Sequence, residues 1–323
     1  MVVWLKRISL SIVVLTVFIV GVTYLFWMPG PQEVSYALVK TWGGKGNKPG
    51  QFNEPTGIAL VGNEVFVSDS RNTRIQVFDL DGNFIRLFGK QGEAPGQLNR
   101  PMNLTIAGDE LYVADFFNDR IQVYGLDGKF RRSVGKAGNV GGELSAPGGV
   151  AVNAEGELFV ADFFNQRVQH LLADGTFVRQ WGITGMSGVL GGKLNYPTDV
   201  AINNQGTLYI ADGYNDRVLA FSPDGVLLHQ WGGPFGMNIF GPFNGWFATV
   251  TGISVGSRGE VFVADFYNDR VQKFSAEGEF LNAFGIKSTA PTHTAIAVAE
   301  ADNGTVFVAD YANHQVQKWQ PGN

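Results

Sequence analysis

Short runs of apolar residues recur along the chain, and one run returns six times. It reads VFVSDSRNTRIQVF from Val65 and LYVADFFNDRIQVY from Leu111, and it returns in similar form from Leu158, Leu208, Val261 and Val306. Each copy holds two stretches of about five β-branched, aromatic and apolar residues on either side of a polar turn. The pattern predicts pairs of short β-strands.

The repeat has the length of one blade of a β-propeller. The aspartates that end the first stretch of each copy are spaced by 46, 47, 50, 53 and 45 residues. An apolar run such as TGIAL from Thr56 precedes each pair, and a further run such as GNFIRLFG from Gly82 follows an Asp-Gly or Glu-Gly turn. Four short strands in a period of about 40–50 residues are typical of propeller blades.

The two ends of the repeat region complement each other. The region begins with a lone fourth strand, YALVKTWG from Tyr36, and ends after a third strand, VQKW from Val316. Pairing these two strands would complete the last blade and remove the free sheet edges. We therefore predict an all-β fold, a six-bladed β-propeller over residues 36–323 that is closed by its N-terminal strand.

The repeat resembles the NHL-repeat family. Its D-x-x-N-x-R-[IV]-Q core recurs almost unchanged, with Leu219 in place of glutamine in the fourth copy and Gln315 in place of arginine in the sixth. The resemblance implies a six-bladed propeller. It also implies three functional precedents: metal-dependent lyases, RNA binders, and extracytoplasmic sensor or scaffold domains of bacteria.

An uncharged stretch precedes the propeller. Residues 8–27, ISLSIVVLTVFIVGVTYLFW, are long enough to cross a bilayer, and Lys6 and Arg7 stand before them. The positive-inside rule then predicts a cytoplasmic tail (1–7), a transmembrane signal anchor (8–28), a linker (29–35) and a propeller on the extracytoplasmic side, taken as the periplasm. The bulky end of the stretch argues against the alternative, a cleaved signal peptide. We predict a single-pass protein of the cell membrane.

Composition narrows the chemistry. The chain has no cysteine, four histidines and a formal net charge of −5. Disulfides, thiolate catalysis and cysteine-ligated zinc are excluded, and the lack of a basic surplus argues against nucleic acid as a partner. Only one histidine, His293, is predicted at the central channel, so we expect no metal and no cofactor.

The repeated aspartates are interpreted as structural. Because the aspartate is present in every blade, we expect it to have a structural role that all blades share. It ends the second strand within reach of an asparagine and an arginine. The six positions are Asp69, Asp115, Asp162, Asp212, Asp265 and Asp310.

Residues that differ between blades are the better binding candidates. Turns from second to third strand and connections between blades share one face, called here the top face, which carries many aromatic residues. We expect the anchor to join the opposite face. The candidates are Phe116, Phe163, Phe266 and Tyr311 in the turns and Phe235, Phe240 and Trp246 in a long loop. The second aromatic residue of each pair (Phe117, Phe164, Tyr214, Tyr267) is expected to pack between blades.

A second candidate region is the mouth of the channel. It is predicted from the starts of the six inner strands, at Gly57, Asn103, Gly149, Asp199, Gly252 and His293. Asp199 and His293 are the ionisable members, and a role as solvated rim residues is favoured over a role as a catalytic pair.

Two functions stay open from the sequence. The favoured one is a non-enzymatic binding or scaffold module whose top face engages a protein partner, a subunit of a membrane complex or an envelope glycan. The alternative is a lyase or hydrolase that acts on a small molecule at the channel mouth.

Overall fold

Six four-stranded antiparallel sheets make up the part of the chain that this computed structural model describes, which is residues 13–16, 18, 28–236, 239–285 and 295–322. Within each sheet the strands follow one another outward from the central channel. The predicted anchor lies mostly outside the described residues, as do His293 and the side chain of Phe235. Within the described ranges, no helix has the length and apolar character needed to span a bilayer.

The strands of the first three blades follow the predicted order. Blade 1 has β2 (Pro55–Val61), β3 (Glu64–Asp69), β4 (Arg74–Asp79) and β5 (Phe84–Phe88). Blade 2 has β6 (Pro101–Ala107), β7 (Glu110–Asp115), β8 (Arg120–Gly125) and β9 (Phe130–Val134). Blade 3 has β10 (Pro147–Val152), β11 (Leu158–Asp162), β12 (Arg167–Leu171) and β13 (Phe177–Gly182).

The remaining blades repeat the order, and the last one draws on both ends of the chain. Blade 4 has β14 (Pro197–Ile202), β15 (Leu208–Asp212), β16 (Arg217–Phe221) and β17 (Leu227–Trp231). Blade 5 has β18 (Val250–Val255), β19 (Val261–Asp265), β20 (Arg270–Phe274) and β21 (Phe280–Gly285). Blade 6 has β22 (Ala295–Glu300), β23 (Val306–Asp310), β24 (Gln315–Pro321) and β1 (Tyr36–Gly43).

The predicted closure is confirmed. Strand β1 pairs antiparallel with β24, from Tyr36 opposite Pro321 to Gly43 opposite Gln315. The N-terminal strand is thus the outer strand of the C-terminal blade, and the ring has no open sheet edge between its first and last blades.

The core lies between the blades. Second and third strands are buried on both faces, which is why they read as continuous apolar runs. Where blades 4 and 5 meet, Trp231 and Phe247 pack on Phe274 at ring-centre distances of 5.8 and 5.6 Å. Burial of one such side chain contributes about 1.5–3 kcal/mol. Six clusters of this kind fill the spaces around the ring.

The segment before β1 packs against blade 5. The backbone N–H of Gln32 donates to the carbonyl of Leu281 (2.7 Å), and Lys273 Nζ lies 2.7 Å from a carboxylate oxygen of Glu33. Asn244 Nδ2 donates to the carbonyl of Pro29 at 2.9 Å. Residues 29–34 therefore follow the outside of blade 5 and reach the blade 4–5 connection, which belongs to the top face. The sequence analysis expected the linker to leave from the opposite face.

Candidate binding face

Each repeated aspartate is the centre of a buried hydrogen-bond network. In blade 3, Asp162 accepts from the backbone N–H of Ser145 at 2.7 Å and from Asn165 Nδ2 at 2.9 Å. It also accepts from Arg167 Nε at 2.8 Å and from Gln169 Nε2 at 3.1 Å. Burial raises the pKa of this carboxyl group, while the hydrogen bonds from Ser145, Asn165 and Arg167 act in the opposite direction.

The arginine extends the hydrogen-bond network to the connection from the preceding blade. Arg167 Nη2 donates to the carbonyls of Val140 and Glu143, in the connection that leads from blade 2 into blade 3. In blade 6, Gln315 replaces the arginine and donates to Asp310 at 2.7 Å. These are the bonds that the structural interpretation of the six aspartates requires.

A second set of hydrogen bonds joins successive blades, and the sequence analysis did not predict it. The residue between the asparagine and the arginine has a positive φ in every blade. From there Asp119 accepts from the N–H of Ala146 (2.7 Å), and Asp216 accepts from the N–H of Thr249 (2.6 Å). Gln166 accepts from Tyr196 N–H in the same way. The one available signal was that this position is polar in all six repeats.

The top face of blades 2 to 4 carries a continuous aromatic cluster. The ring centre of Phe116 lies 5.9 Å from that of Phe163, and Phe163 lies 4.8 Å from Tyr196. Tyr196 continues to Tyr214 at 5.1 Å. We call the following set the aromatic face: Phe116, Phe117, Phe163, Phe164, Tyr196 and Tyr214. The sequence analysis did not single out Tyr196, which enters the cluster from the connection into blade 4.

Exposure within the pairs is the reverse of the expectation. Phe117 and Phe164 are 54% and 53% exposed, and Tyr214 and Tyr267 are also exposed, whereas Phe116, Phe163 and Phe266 are half-buried. The first ring of a pair lies between its neighbours, as Phe116 does against both rings of blade 3. The second rings thus offer the contact surface, and the first rings support them.

The aromatic face ends in a charged border at blades 6 and 1. The guanidinium carbon of Arg100 lies 5.8 Å from the ring centre of Phe117, and Arg100 also lies 3.5 Å from Glu54. Hydrogen bonds from Arg71 and Tyr311 lower the pKa of Glu54 against the opposing effect of burial, which is the largest single influence. Tyr311, a predicted binding residue, is half-buried beside Phe266 at 6.1 Å.

The long loop between blades 4 and 5 holds the other predicted aromatic residues. Phe240 is 73% exposed. Trp246 is half-buried, packs edge-on against Phe243 at 5.1 Å, and its carbonyl accepts from Arg270 and Gln272. The side chain of Phe235 lies outside the described residues. Phe240 is therefore the exposed ring among the described candidates of this loop.

The channel contains a cavity of about 340 Å³ lined by the inner strands. Gly57, Gly149, Asp199 and Gly252 occupy equivalent positions, each paired with the residue just before the repeated aspartate, and Asn103 lies at a register shift in β6. In blade 6 the same pairing belongs to Ala297, opposite Ala309. The place that the sequence analysis gave to His293 is thus held by Ala297. The sequence PTH at 291–293 resembles PTG from Pro55 and PTD from Pro197, which begin other inner strands, but β22 begins at Ala295.

Asp199 is the carboxylate at the top of this channel. It is buried and accepts from the N–H of Ile253 at 3.0 Å. Burial raises its pKa to about 8, although bonds from Ile253, Val200 and Asn103 act against the rise. Glu300, the other carboxylate among the described residues that line the cavity, ends β22 at the opposite end. The described ranges contain no cluster of three or more residues able to hold a metal ion.

Comparison with protein families agrees with this geometry. Residues 144–171, 194–221 and 247–274 each match the NHL repeat. The chain carries NHL repeats. Residues 50–133 match a family described as a 6-bladed beta-propeller. No curated protein matched the chain.

Solved structures resemble the NHL propeller in fold. A streptogramin B lyase superposes with a TM-score of 0.60 at 16% identity, over 89% of this chain and 88% of the lyase. A protein of unknown function from Bacteroides thetaiotaomicron gives 0.66 at 16% identity, over 88% and 75%. The WD40 propeller domain of Doa1 gives 0.62 at 12% identity, over 90% and 98%. At these identities the likeness concerns the fold alone.

Proposed function

We propose that this NHL propeller is a non-enzymatic binding module, displayed from the cell membrane on the extracytoplasmic side, that holds a protein partner on its aromatic face. One observation carries the proposal: the exposed rings of Phe117, Phe164 and Tyr214 belong to one connected cluster across three blades, which Phe117 joins through Phe116. Aromatic residues are enriched in the cores of protein interfaces, where each ring buries a large area at a small cost in conformational entropy.

The hydrogen-bond networks of the repeated aspartates hold the aromatic face rigid, which favours a binding role. The turns that carry the rings are fixed by Asp115, Asp162 and Asp212, each fully buried and multiply hydrogen-bonded. A rigid platform loses little entropy when a partner binds. The structural similarity to a WD40 propeller and to a lyase is compatible with either a binding or a catalytic role, so the choice depends on the site itself.

Site-specific photo-crosslinking tests the proposal. A photoreactive phenylalanine analogue replaces Phe117, Phe164 or Tyr214 in the full chain, and replaces Phe177 as a matched control. Phe177 is an aromatic residue of the outer strand β13 that is 38% exposed. We expect the same protein to be crosslinked from the three top positions and not from the control. Equal labelling from all four positions would contradict the proposal.

An envelope glycan is the alternative occupant of this face, and the experiment separates it from a protein. A glycan partner would give no protein crosslink, yet the chain would be retained on isolated envelope polysaccharide. That retention would be lost when Phe117 and Phe164 are both replaced by serine.

Catalysis at the channel mouth is the second candidate, favoured by the unusual pKa of Asp199 and by the cavity beside it. A carboxyl group that keeps its proton near neutral pH is a possible general acid. This candidate requires turnover of a small molecule, with streptogramin B as one substrate to try. Asp199→Asn would abolish that turnover. Turnover unchanged in Asp199→Asn would exclude this role.

A further inference from the structure

The path of residues 29–34 fixes where the chain leaves the propeller. Pro29 is held through its carbonyl by Asn244, and both line a shallow depression with Gly233, Gly236 and Trp246. The predicted anchor ends at residue 28, and one residue of extended chain spans at most about 3.6 Å. A chain anchored in this way has no slack, so the outer rim between blades 4 and 5 is held against the bilayer surface.

This rim and the neighbouring blade 3–4 connection carry exposed apolar side chains, and hydrogen bonds from one arginine join the two loops. The guanidinium of Arg217 donates to the carbonyl of Val189 in residues 183–196 and, at 3.5 Å, to that of Gly236 in residues 232–249. Leu190 is 68% exposed, and Met186 and Ile239 are also exposed. We call Met186, Leu190, Ile239 and Phe240 the rim patch.

The loops that carry the rim patch are also poor in charge. Residues 232–249 contain no charged residue, and residues 183–196 contain only Lys193. In water such a surface is costly, whereas at a membrane interface aromatic and aliphatic side chains bury apolar area among the headgroups. Its position beside the end of the predicted anchor and its lack of charge favour the bilayer surface as the partner that covers it.

We propose that the rim patch inserts into the outer surface of the bilayer and holds the propeller on its side, with blades 4 and 5 against the lipid. This inference rests on the proposed membrane display. It places the aromatic face, which begins at Tyr214 of blade 4, within reach of the membrane surface. The partner would then be a membrane protein or one bound close to the membrane.

The absence of cysteine from the chain makes a direct test possible. Single cysteines are introduced as Leu190→Cys and Phe240→Cys, with Val140→Cys as the matched control. Val140 is 60% exposed and lies in the blade 2–3 connection, where its carbonyl accepts from Arg167 as that of Val189 accepts from Arg217. Each variant of the full chain is labelled with an environment-sensitive fluorophore and reconstituted into phosphatidylcholine vesicles that contain nitroxide-labelled lipid.

Positions 190 and 240 are expected to show blue-shifted emission and quenching by the nitroxide lipid about twofold or more above that at position 140. Equal quenching at all three positions, or none at 190 and 240, overturns the inference. Vesicle flotation distinguishes the proposed membrane display from the proposed orientation: a chain that does not float with vesicles refutes membrane display itself. Floating without rim quenching refutes only the orientation. Quenching replaced by concentration-dependent self-quenching would identify a second copy of the chain as the occupant.

Discussion

Replacing Asp162 with alanine should destabilise the propeller strongly, because it leaves a buried cation without its carboxylate. The side chain of Arg167 is only 2% exposed, and Asp162 is fully buried. Three further donors, from Ser145, Asn165 and Gln169, lose their acceptor at the same time. The remaining bonds of Arg167 go to neutral oxygen atoms, which do not compensate its charge.

The size of the effect follows from this arrangement. Removal of one partner of a buried ion pair costs about 3–5 kcal/mol. A whole domain is stable by about 5–15 kcal/mol, so the variant should lose about a fifth or more of its free energy of unfolding.

Blade 6 offers the matched control. Asp310 has the same place and the same burial, but its partners Asn313, Gln315 and Gln317 are neutral amides. Asp310→Ala leaves unsatisfied amide groups and no buried cation, so we expect a smaller loss of about 1–3 kcal/mol.

Urea unfolding followed by tryptophan fluorescence measures both variants, since Trp181 in blade 3 and Trp319 in blade 6 are buried. Equal losses in the two variants would refute the reasoning, because the larger loss expected for Asp162→Ala rests on the charge of Arg167. Adding Arg167→Met to Asp162→Ala should recover part of the lost stability, and the absence of any recovery would also count against it.

Two further predictions concern the channel. Because burial raises the pKa of Asp199 to about 8, the folded protein keeps a proton that the unfolded chain releases near pH ~4. The unfolded state then binds fewer protons, so wild-type stability should fall between about pH 4 and pH 8, and urea midpoints should show no such fall in Asp199→Asn. A Cβ on Gly149 would collide with Oδ1 of Asp199. Gly149→Ala should therefore cost about 1–3 kcal/mol in thermal or urea unfolding, and a cost that persists when Asp199→Ala is added would show that the collision lies elsewhere.

The blade count and the closure could be predicted because each blade repeats a local pattern. The period of the repeated aspartates, the turn glycines and the lone strand at residue 36 are all visible without a partner in space. Even with the departures at Leu219 and Gln315 the strands stay in register, since Leu219 lies opposite Ile210 and Gln315 lies opposite Asp310.

What the sequence could not indicate depends on the neighbouring blade. Phe116 and Phe117 are chemically identical, and the rings of Phe163 and Phe164 on the next blade cover Phe116. The bridge from Asp119 to Ala146 joins residues of different blades, so the polar residue at this position does not by itself reveal its partner. The register of β22 was misjudged because PTH at 291–293 resembles the start of other inner strands, such as PTG from Pro55, and the structure places Ala297 at the channel mouth.

The pairing of β1 with β24 has a consequence for biosynthesis. Strand β1 is synthesised before the other strands of the propeller, whereas its partner β24, from Gln315 to Pro321, is synthesised after all of them. Until β24 has been synthesised, the backbone N–H and C=O groups of β1 that later pair with it are exposed to water and to other chains. The ring closes only after the last strand of blade 6 has left the ribosome. The ring therefore cannot close until β24 has been synthesised, and removal of residues 315–321 would leave β1 without its partner.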